Sequence, residues 1–181
     1  HTERLFNSAK ILRMKIPFSQ DQINAAQREI IRVNGLKSGY IRPLAWLGSE
    51  KMGVAAKENT VHVMIAAWPW GAYLGEDGIN RGIRVKTSSY THHHVNITMT
   101  QAKAVANYTN SILSNREATD DGYDEALLLD SNGFVCQGSG ENVFIIKNGV
   151  LYTPDLSGGA LKGITRESIF QICKDLGIEI V

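Results

Sequence analysis

At 181 residues, 43% hydrophobic and 20% charged, the chain has globular composition and enough apolar material for one good core or two small ones, which excludes disorder. Nineteen basic residues against eighteen acidic leave a formal net charge of +1, so no global field draws it to nucleic acid or to an anionic membrane, and neither is expected as a partner. Cys136 and Cys173 lie far apart with no CxxC spacing, and no run approaches the roughly 18 apolar residues of a spanning helix, so reduced thiols in a soluble, cytoplasmic protein are expected.

The chain opens on His1 and closes on Gly177-Ile178-Glu179-Ile180-Val181, which reads as the start of a buried strand, so both ends are expected to be cut. The clearest helix is Ser19 to Gly35: Ser19 and Gln22 make a capping box, Ile23, Ala26, Ile30 and Val33 recur at helical spacing, and Gly35 suits a left-handed stop. Tyr40 to Leu47, Val61 to Trp68 and Ile83 to Ser89 are rich in β-branched and aromatic residues and read as strands. Pro69 to Gly75 breaks them with a proline and two glycines yet carries Trp70 and Tyr73, which predicts a domain connection that also walls a pocket.

Helical periodicity returns from Ala104 to Thr119, with Val105, Tyr108, Ile112 and Leu113 on its apolar side. Ala126 to Leu129, Phe134 to Cys136, Asn142 to Ile146 and Val150 to Tyr152 follow as short strands of a meander, turned at Ser131-Asn132-Gly133 and Lys147-Asn148-Gly149. A last helix runs from Thr165 to Leu176 and stops at Gly177.

Three features exceed what a plain core needs. Lys103 is a single cation among small residues, which let a planar ligand approach; a desolvated lysine there has the lowered pKa of a Schiff-base nucleophile, and the alternative is a lysine reaching out from a helix start. The turns Gln137 to Asn142 and Leu161 to Arg166 carry glycines, and the second can aim amides and a hydroxyl at a phosphate or be an ordinary loop capped by Thr165. Arg42 within an apolar strand either pairs internally or awaits an anion. His92-His93-His94 is read as strand residues facing alternately, so no metal site is expected, and Cys136 is read as a core thiol.

Tyr40-Ile41-Arg42-Pro43-Leu44, Trp68-Pro69-Trp70-Gly71-Ala72-Tyr73-Leu74, Ala102-Lys103 with Asn107-Tyr108, Gly138-Ser139-Gly140-Glu141-Asn142-Val143-Phe144 and Gly163-Ile164-Thr165-Arg166 occur in the order that resembles bacterial branched-chain aminotransferases, over essentially all 181 residues. The resemblance implies a mixed α/β, fold-type IV enzyme dependent on pyridoxal 5′-phosphate. It has two domains: residues 1–68 as the remainder of a small α/β domain, 69–75 as the interdomain loop, and 76–181 as most of a larger β-barrel-like domain.

It further implies that Lys103 forms the Schiff base and shuttles the proton between the substrate α-carbon and the cofactor C4′. Arg4 pairs with the cofactor phosphate together with the Ile164 and Thr165 amides and the Thr165 hydroxyl; Tyr108 hydrogen-bonds the phenolic oxygen. Tyr40 and Arg42 resemble the residues that admit the distal carboxylate of glutamate, and Trp70 and Tyr73 resemble pocket walls. Two positions depart from the pattern: Gln137 stands where the family places a glutamate against the pyridine nitrogen, and His92 where relatives commonly carry arginine.

The activity implied is amino-group transfer between branched-chain L-amino acids and 2-oxoglutarate, with glutamate and 2-oxo acids as the other ligands, in a homodimer or higher homo-oligomer. The alternatives are a D-amino acid aminotransferase or aminodeoxychorismate lyase of the same fold, or a catalytically silent homologue, which Gln137 keeps open.

Overall fold

Helix α2, Gln20–Val33, begins where Ser19 Oγ accepts from the Gln22 amide at 3.2 Å and Gln22 Oε1 accepts from the Ser19 amide at 2.8 Å, the reciprocal box the sequence predicts. Gly35 follows it at φ +62. The structure, a computed structural model, describes residues 1–55, 57–71 and 75–181. Helix α1, Thr2–Ile11, adds to the sequence expectation; Thr2 Oγ1 ties it to α2, donating to Asn24 Oδ1 at 2.5 Å and accepting from Gln27 Nε2 at 2.9 Å, and Ala9 is buried.

Strands β1, Tyr40–Leu47, and β2, Val61–Trp68, match expectation and pair antiparallel without a break from Tyr40 opposite Trp68 to Leu47 opposite Val61. The Asn59 carboxamide closes their connection by donating to Gly48 O at 2.7 Å and Lys51 O at 3.0 Å. Ile23, Ala26 and Ile30 of α2 face Val63 and Ile65 of β2 across an apolar groove of about 430 Å³. These elements belong to the first of two units, His1–Glu76; the second is Asp77–Val181. Helix α3, Gly75–Arg81, is likewise absent from the sequence reading, whose loop extends through Gly75.

In the second unit β3 covers only Val85–Thr87 of the expected Ile83 to Ser89. Its flanks are claimed by side chains: the Arg84 amide by Asp124 Oδ2 at 2.7 Å and the Ser89 amide by Glu117 Oε2 at 3.0 Å. Strand β3 runs parallel to β4, Glu125–Leu129, which pairs antiparallel with β5, Val135–Gly138. Helix α4, Thr109–Asp120, covers β4 and is pinned to β3 by Lys86, whose ammonium meets Glu117 at 3.2 Å and also Asp121.

The apolar face expected for this helix is corrected. Ser111, Ser114 and Ala118 are the buried residues, and Val105, Ile112 and Leu113 are exposed. Small side chains win because they bring the helix backbone close to Ala126 and Leu128, with which Ala118 forms the core. The helix also starts later than expected: Val105–Tyr108 is a 3-10 turn, because Asn107 Nδ2 donates to Met99 O and Ala102 O, both at 3.0 Å, and folds the preceding chain back.

The expected single meander is two ladders. Strand β6 is Ile145–Lys147 and pairs with β7, Val150–Tyr152, around Asn148 at φ +53 and Gly149 at φ +79, the left-handed pair of a tight hairpin. Among the described residues nothing joins β5 to β6, since Gly138 N turns to Glu141 O at 2.8 Å and the Asn142 side chain leaves toward Leu161. Helix α5, Ile164–Leu176, ends at Gly177 with φ +67 as predicted, but its N-cap is Gly163, not Thr165. The chain then runs beside β7, with Leu151 N donating to Glu179 O at 2.9 Å and Val181 N to Leu151 O at 2.8 Å. No helix among the described residues is long and apolar enough to cross a membrane.

Candidate active site

Lys103 lies in an irregular stretch just before the 3-10 turn, between Ala102, which is fully buried, and Ala104. The turn carries Tyr108 back to it: Lys103 Nζ donates to Tyr108 Oη at 2.6 Å and stands 5.1 Å from the ring centre. The expectation of a desolvated lysine is corrected, since Lys103 is exposed in this chain. Its ammonium is positioned by a phenol, and positioning, with open approach from one side, is what a nucleophilic amine needs first.

Three carboxamides hold the segment ahead of α5. Gln101, two residues before Lys103, donates from Nε2 to Ala160 O at 2.8 Å and accepts at Oε1 from Lys162 N at 3.3 Å. Gln137, at the end of β5, accepts at Oε1 from Leu161 N at 3.0 Å, and Asn142 Nδ2 donates to Leu161 O at 2.9 Å. Residues 160–162 are therefore gripped on both faces, and they deliver the chain to Gly163. A Cβ on Gly163 would collide with Asn142 Oδ1, so only glycine allows this approach. No side chain caps α5, and Ile164 and Thr165 occupy its first turn with Thr165 exposed, leaving the amide dipoles of a 13-residue helix directed at whatever lies before it.

Beneath the Gln137 to Asn142 turn, Glu125 Oε1 accepts from Ala126 N at 2.6 Å and Ser139 N at 3.4 Å, and the Glu141 carboxyl hydrogen-bonds that of Glu125. Burial pushes Glu141 above the ordinary carboxylate range, and its Glu125 neighbour adds to the rise while Gly140 N and Lys103 oppose it. The sequence reading misses Gln101 and the Glu125 and Glu141 pair as supports. Neither carries a spacing signal, because their partners lie 59 and 61 residues away for Gln101 and in a different turn for Glu125.

The first unit brings Tyr40, Arg42 and Trp70 together and adds Trp68. Ring centres lie 5.1 Å apart for Tyr40 and Trp68, 5.0 Å for Tyr40 and Trp70, and 5.5 Å for the two tryptophans. The Arg42 guanidinium stands 5.2 Å from the Tyr40 ring and 5.3 Å from that of Trp68. Arg42 is exposed, so the buried, costly guanidinium inferred from an apolar strand is corrected to one resting on aromatic faces. A groove of about 210 Å³ opens between Gly39, Tyr40, Arg42, Trp70 and Gly71. Arg4 sits on α1 of the same unit, half-buried, and Tyr73 lies outside the described residues.

The histidine tract is loop, not strand, which removes the alternation argument. His92 is buried against Gly159, where a Cβ would come within 3.0 Å of its Nδ1, and burial pushes the imidazole pKa down. Among the described residues no three His, Cys, Asp or Glu side chains gather to hold a metal ion. Cys136 and Cys173 are free and buried; burial, with the charge of Asp130, pushes the Cys136 thiol up to about 12, so it is a core thiol donating to Gly158 O at 3.3 Å.

Comparison with known proteins places this geometry. A branched-chain-amino-acid aminotransferase of Pseudomonas aeruginosa is 53% identical over 181 residues, covering 100% of this chain and 59% of the relative. The crystal structure of the Escherichia coli branched-chain amino acid aminotransferase superposes with TM-score 0.97 at 45% identity over 100% of this chain and 60% of that one. That of the T.th. enzyme, with pyridoxamine 5′-phosphate, gives TM-score 0.93 at 48% identity over 100% and 59%. The chain thus spans about three-fifths of the relatives it matches. The fold is theirs, mixed helix and strand, and the family model for amino-transferase class IV matches residues 1–181: the chain belongs to the class IV aminotransferase family.

Proposed function

We propose that the full-length protein is a pyridoxal-phosphate-dependent transaminase that moves an amino group between leucine, isoleucine or valine and 2-oxoglutarate. The observation that carries this reading is Lys103 Nζ held 2.6 Å from the Tyr108 hydroxyl, on a segment that Gln101 ties to the turn ahead of α5. The named activity of a relative 53% identical supports it.

The residues present fit the cofactor. An uncapped helix start with Ile164 and Thr165 amides and the Thr165 hydroxyl suits a phosphate dianion, and Gly163 keeps the approach clear of a Cβ; Arg4 is assigned as the countercharge on the resemblance alone. Pyridoxal phosphate, when bound, supplies an aldehyde that takes up the amino group and a ring that accepts the electrons of the substrate Cα–H bond.

Lys103 would hold the cofactor through its amine and, when that amine is free, would take the proton from the substrate α-carbon and return it. Tyr108 orients that amine and offers its hydroxyl to the cofactor's phenolic oxygen. Gln137 would meet the ring nitrogen. On the substrate side, Tyr40, Trp70 and Tyr73 wall an apolar side chain, and Arg42 answers the distal carboxylate of glutamate.

With this reading go the remaining assignments: residues 1–68 as a small domain, 69–75 as its connection and 76–181 as the cofactor domain, in a cytoplasmic homodimer or higher homo-oligomer. A D-amino acid aminotransferase or aminodeoxychorismate lyase would keep fold and cofactor, but the Arg42 guanidinium over the Tyr40 and Trp68 rings favours the branched-chain reading.

Borohydride treatment of the intact protein loaded with pyridoxal phosphate, followed by mass spectrometry of its tryptic peptides, is expected to place a reduced adduct on Lys103; its absence would sink the proposal. Single-turnover reaction with L-leucine, D-alanine and aminodeoxychorismate then separates the substrate classes, and a silent homologue processes none.

A further inference from the structure

Gln137 is 8% exposed as a residue, and its side chain has one hydrogen bond among the described residues, in which its Oε1 accepts from the Leu161 amide at 3.0 Å. That bond fixes which end of the carboxamide is which. A main-chain N–H can only donate, so the atom facing Leu161 must be the oxygen, and burial prevents the amide from turning over. Leu161 is itself held from the opposite side, where Asn142 Nδ2 donates to its carbonyl at 2.9 Å, and Gln101 fixes Ala160 and Lys162 on either side of it. The Leu161 amide therefore cannot shift to release the Gln137 oxygen without unmaking four hydrogen bonds. What Gln137 has left to offer a ligand is its NH₂ group, a donor.

We propose that Gln137 presents Nε2–H to the cofactor's ring nitrogen and so holds that nitrogen as an unprotonated acceptor. This deepens the function proposed above and rests on it. A glutamate at the same position could accept from the Leu161 amide with one oxygen and still turn a negative oxygen to the ring, which favours a protonated nitrogen; the glutamine has no second oxygen, and the neutral one it has is turned to Leu161. A protonated ring nitrogen would face the carboxamide N–H donor to donor, an arrangement with no hydrogen bond and adverse dipoles. The site accordingly works with a less electron-withdrawing ring, and Lys103 must take the proton from the substrate α-carbon with less help from it.

The test uses the full-length holoenzyme with pyridoxal phosphate labelled with nitrogen-15 in the ring. The ring-nitrogen resonance is expected at the unprotonated position in the wild type at neutral pH and at the protonated position in Q137E, with kcat for L-leucine rising about tenfold in Q137E, the worth of one charge-assisted hydrogen bond in the transition state. A protonated ring nitrogen in the wild type overturns the inference, as does a resonance that does not move in Q137E. If Q137E fails to fold, the wild-type spectrum alone decides. The borohydride adduct on Lys103, read in the same samples, keeps the two readings apart: with no adduct the transaminase proposal fails, whereas an adduct together with a protonated ring nitrogen sinks only the assignment to Gln137.

Discussion

Replacing Tyr108 with phenylalanine removes one oxygen and leaves a ring of the same shape, so the change takes away the 2.6 Å bond to Lys103 Nζ, together with the hydroxyl offered to the cofactor, and spares the packing around them. The cation–ring contact at 5.1 Å survives, because it needs only the aromatic face. A hydrogen bond to a charged group is worth about 1.5–3 kcal/mol, and the exposure of Lys103 places this one at the lower end, near ~1.5 kcal/mol. At 25 °C that is about a tenfold loss of kcat/KM if the bond holds the amine in its reactive position. Steady-state kinetics with L-leucine on the full-length enzyme measure it, and the borohydride adduct controls for cofactor loading. Thermal unfolding should stay within about 0.5 kcal/mol of wild type, since no buried partner is left unsatisfied. A loss below twofold with normal loading would refute the idea that the phenol aims the lysine.

Gly163→Ala drives a methyl group into Asn142 Oδ1 and should destabilise by about 1–3 kcal/mol, lowering Tm by several degrees in calorimetry, with cofactor affinity falling alongside. Arg42→Ala removes the cation over Tyr40 and Trp68 and is expected to raise KM for glutamate about tenfold while leaving that for leucine within about threefold, read from parallel steady-state assays. Glu117 is held down to about 2 by the Ser88 hydroxyl first, then the Ser89 amide and Lys86, against an ordinary value of 4.5. A depressed carboxylate contributes stability that is fully present above 4.5 and drains away as pH falls toward 2, so the Tm difference between wild type and E117Q should be largest near neutrality and shrink across that window. A difference that does not change with pH would contradict this.

Much of the scaffold was legible because its signals are local. Ser19 and Gln22 cap a helix by their own spacing, Asn148-Gly149 can turn only one way, and Gly177 stops α5 with the left-handed φ that its sequence position implies. The reading failed where a tertiary contact outranked periodicity. Val105, Ile112 and Leu113 do recur at helical spacing, but the seam against β4 wanted the small residues Ser111, Ser114 and Ala118, which no hydrophobicity pattern singles out. Helix α1 attaches through Thr2, Asn24 and Gln27, all polar.

For the site, the identity of Lys103 and Tyr108 as a pair could be suspected from their order in the chain, and the five-residue separation proved to be the span of one 3-10 turn. What the sequence could not supply was the orientation of Gln137. Its role depends on a partner 24 residues away, and which end of an amide faces that partner is decided only when the fold brings them together.

Gln101 grips Ala160 and Lys162 with both ends of one carboxamide, closing a loop of about sixty residues onto the segment that carries Lys103. The segment of the reactive amine and the approach to α5 are thereby held together by one side chain, and closing a loop of that length carries an entropic cost that these two bonds help to offset. Gln101→Glu would keep the acceptor and lose the donor. Such a chain should fold with a loosened second half and an amine that points true only part of the time, so that turnover falls before stability does.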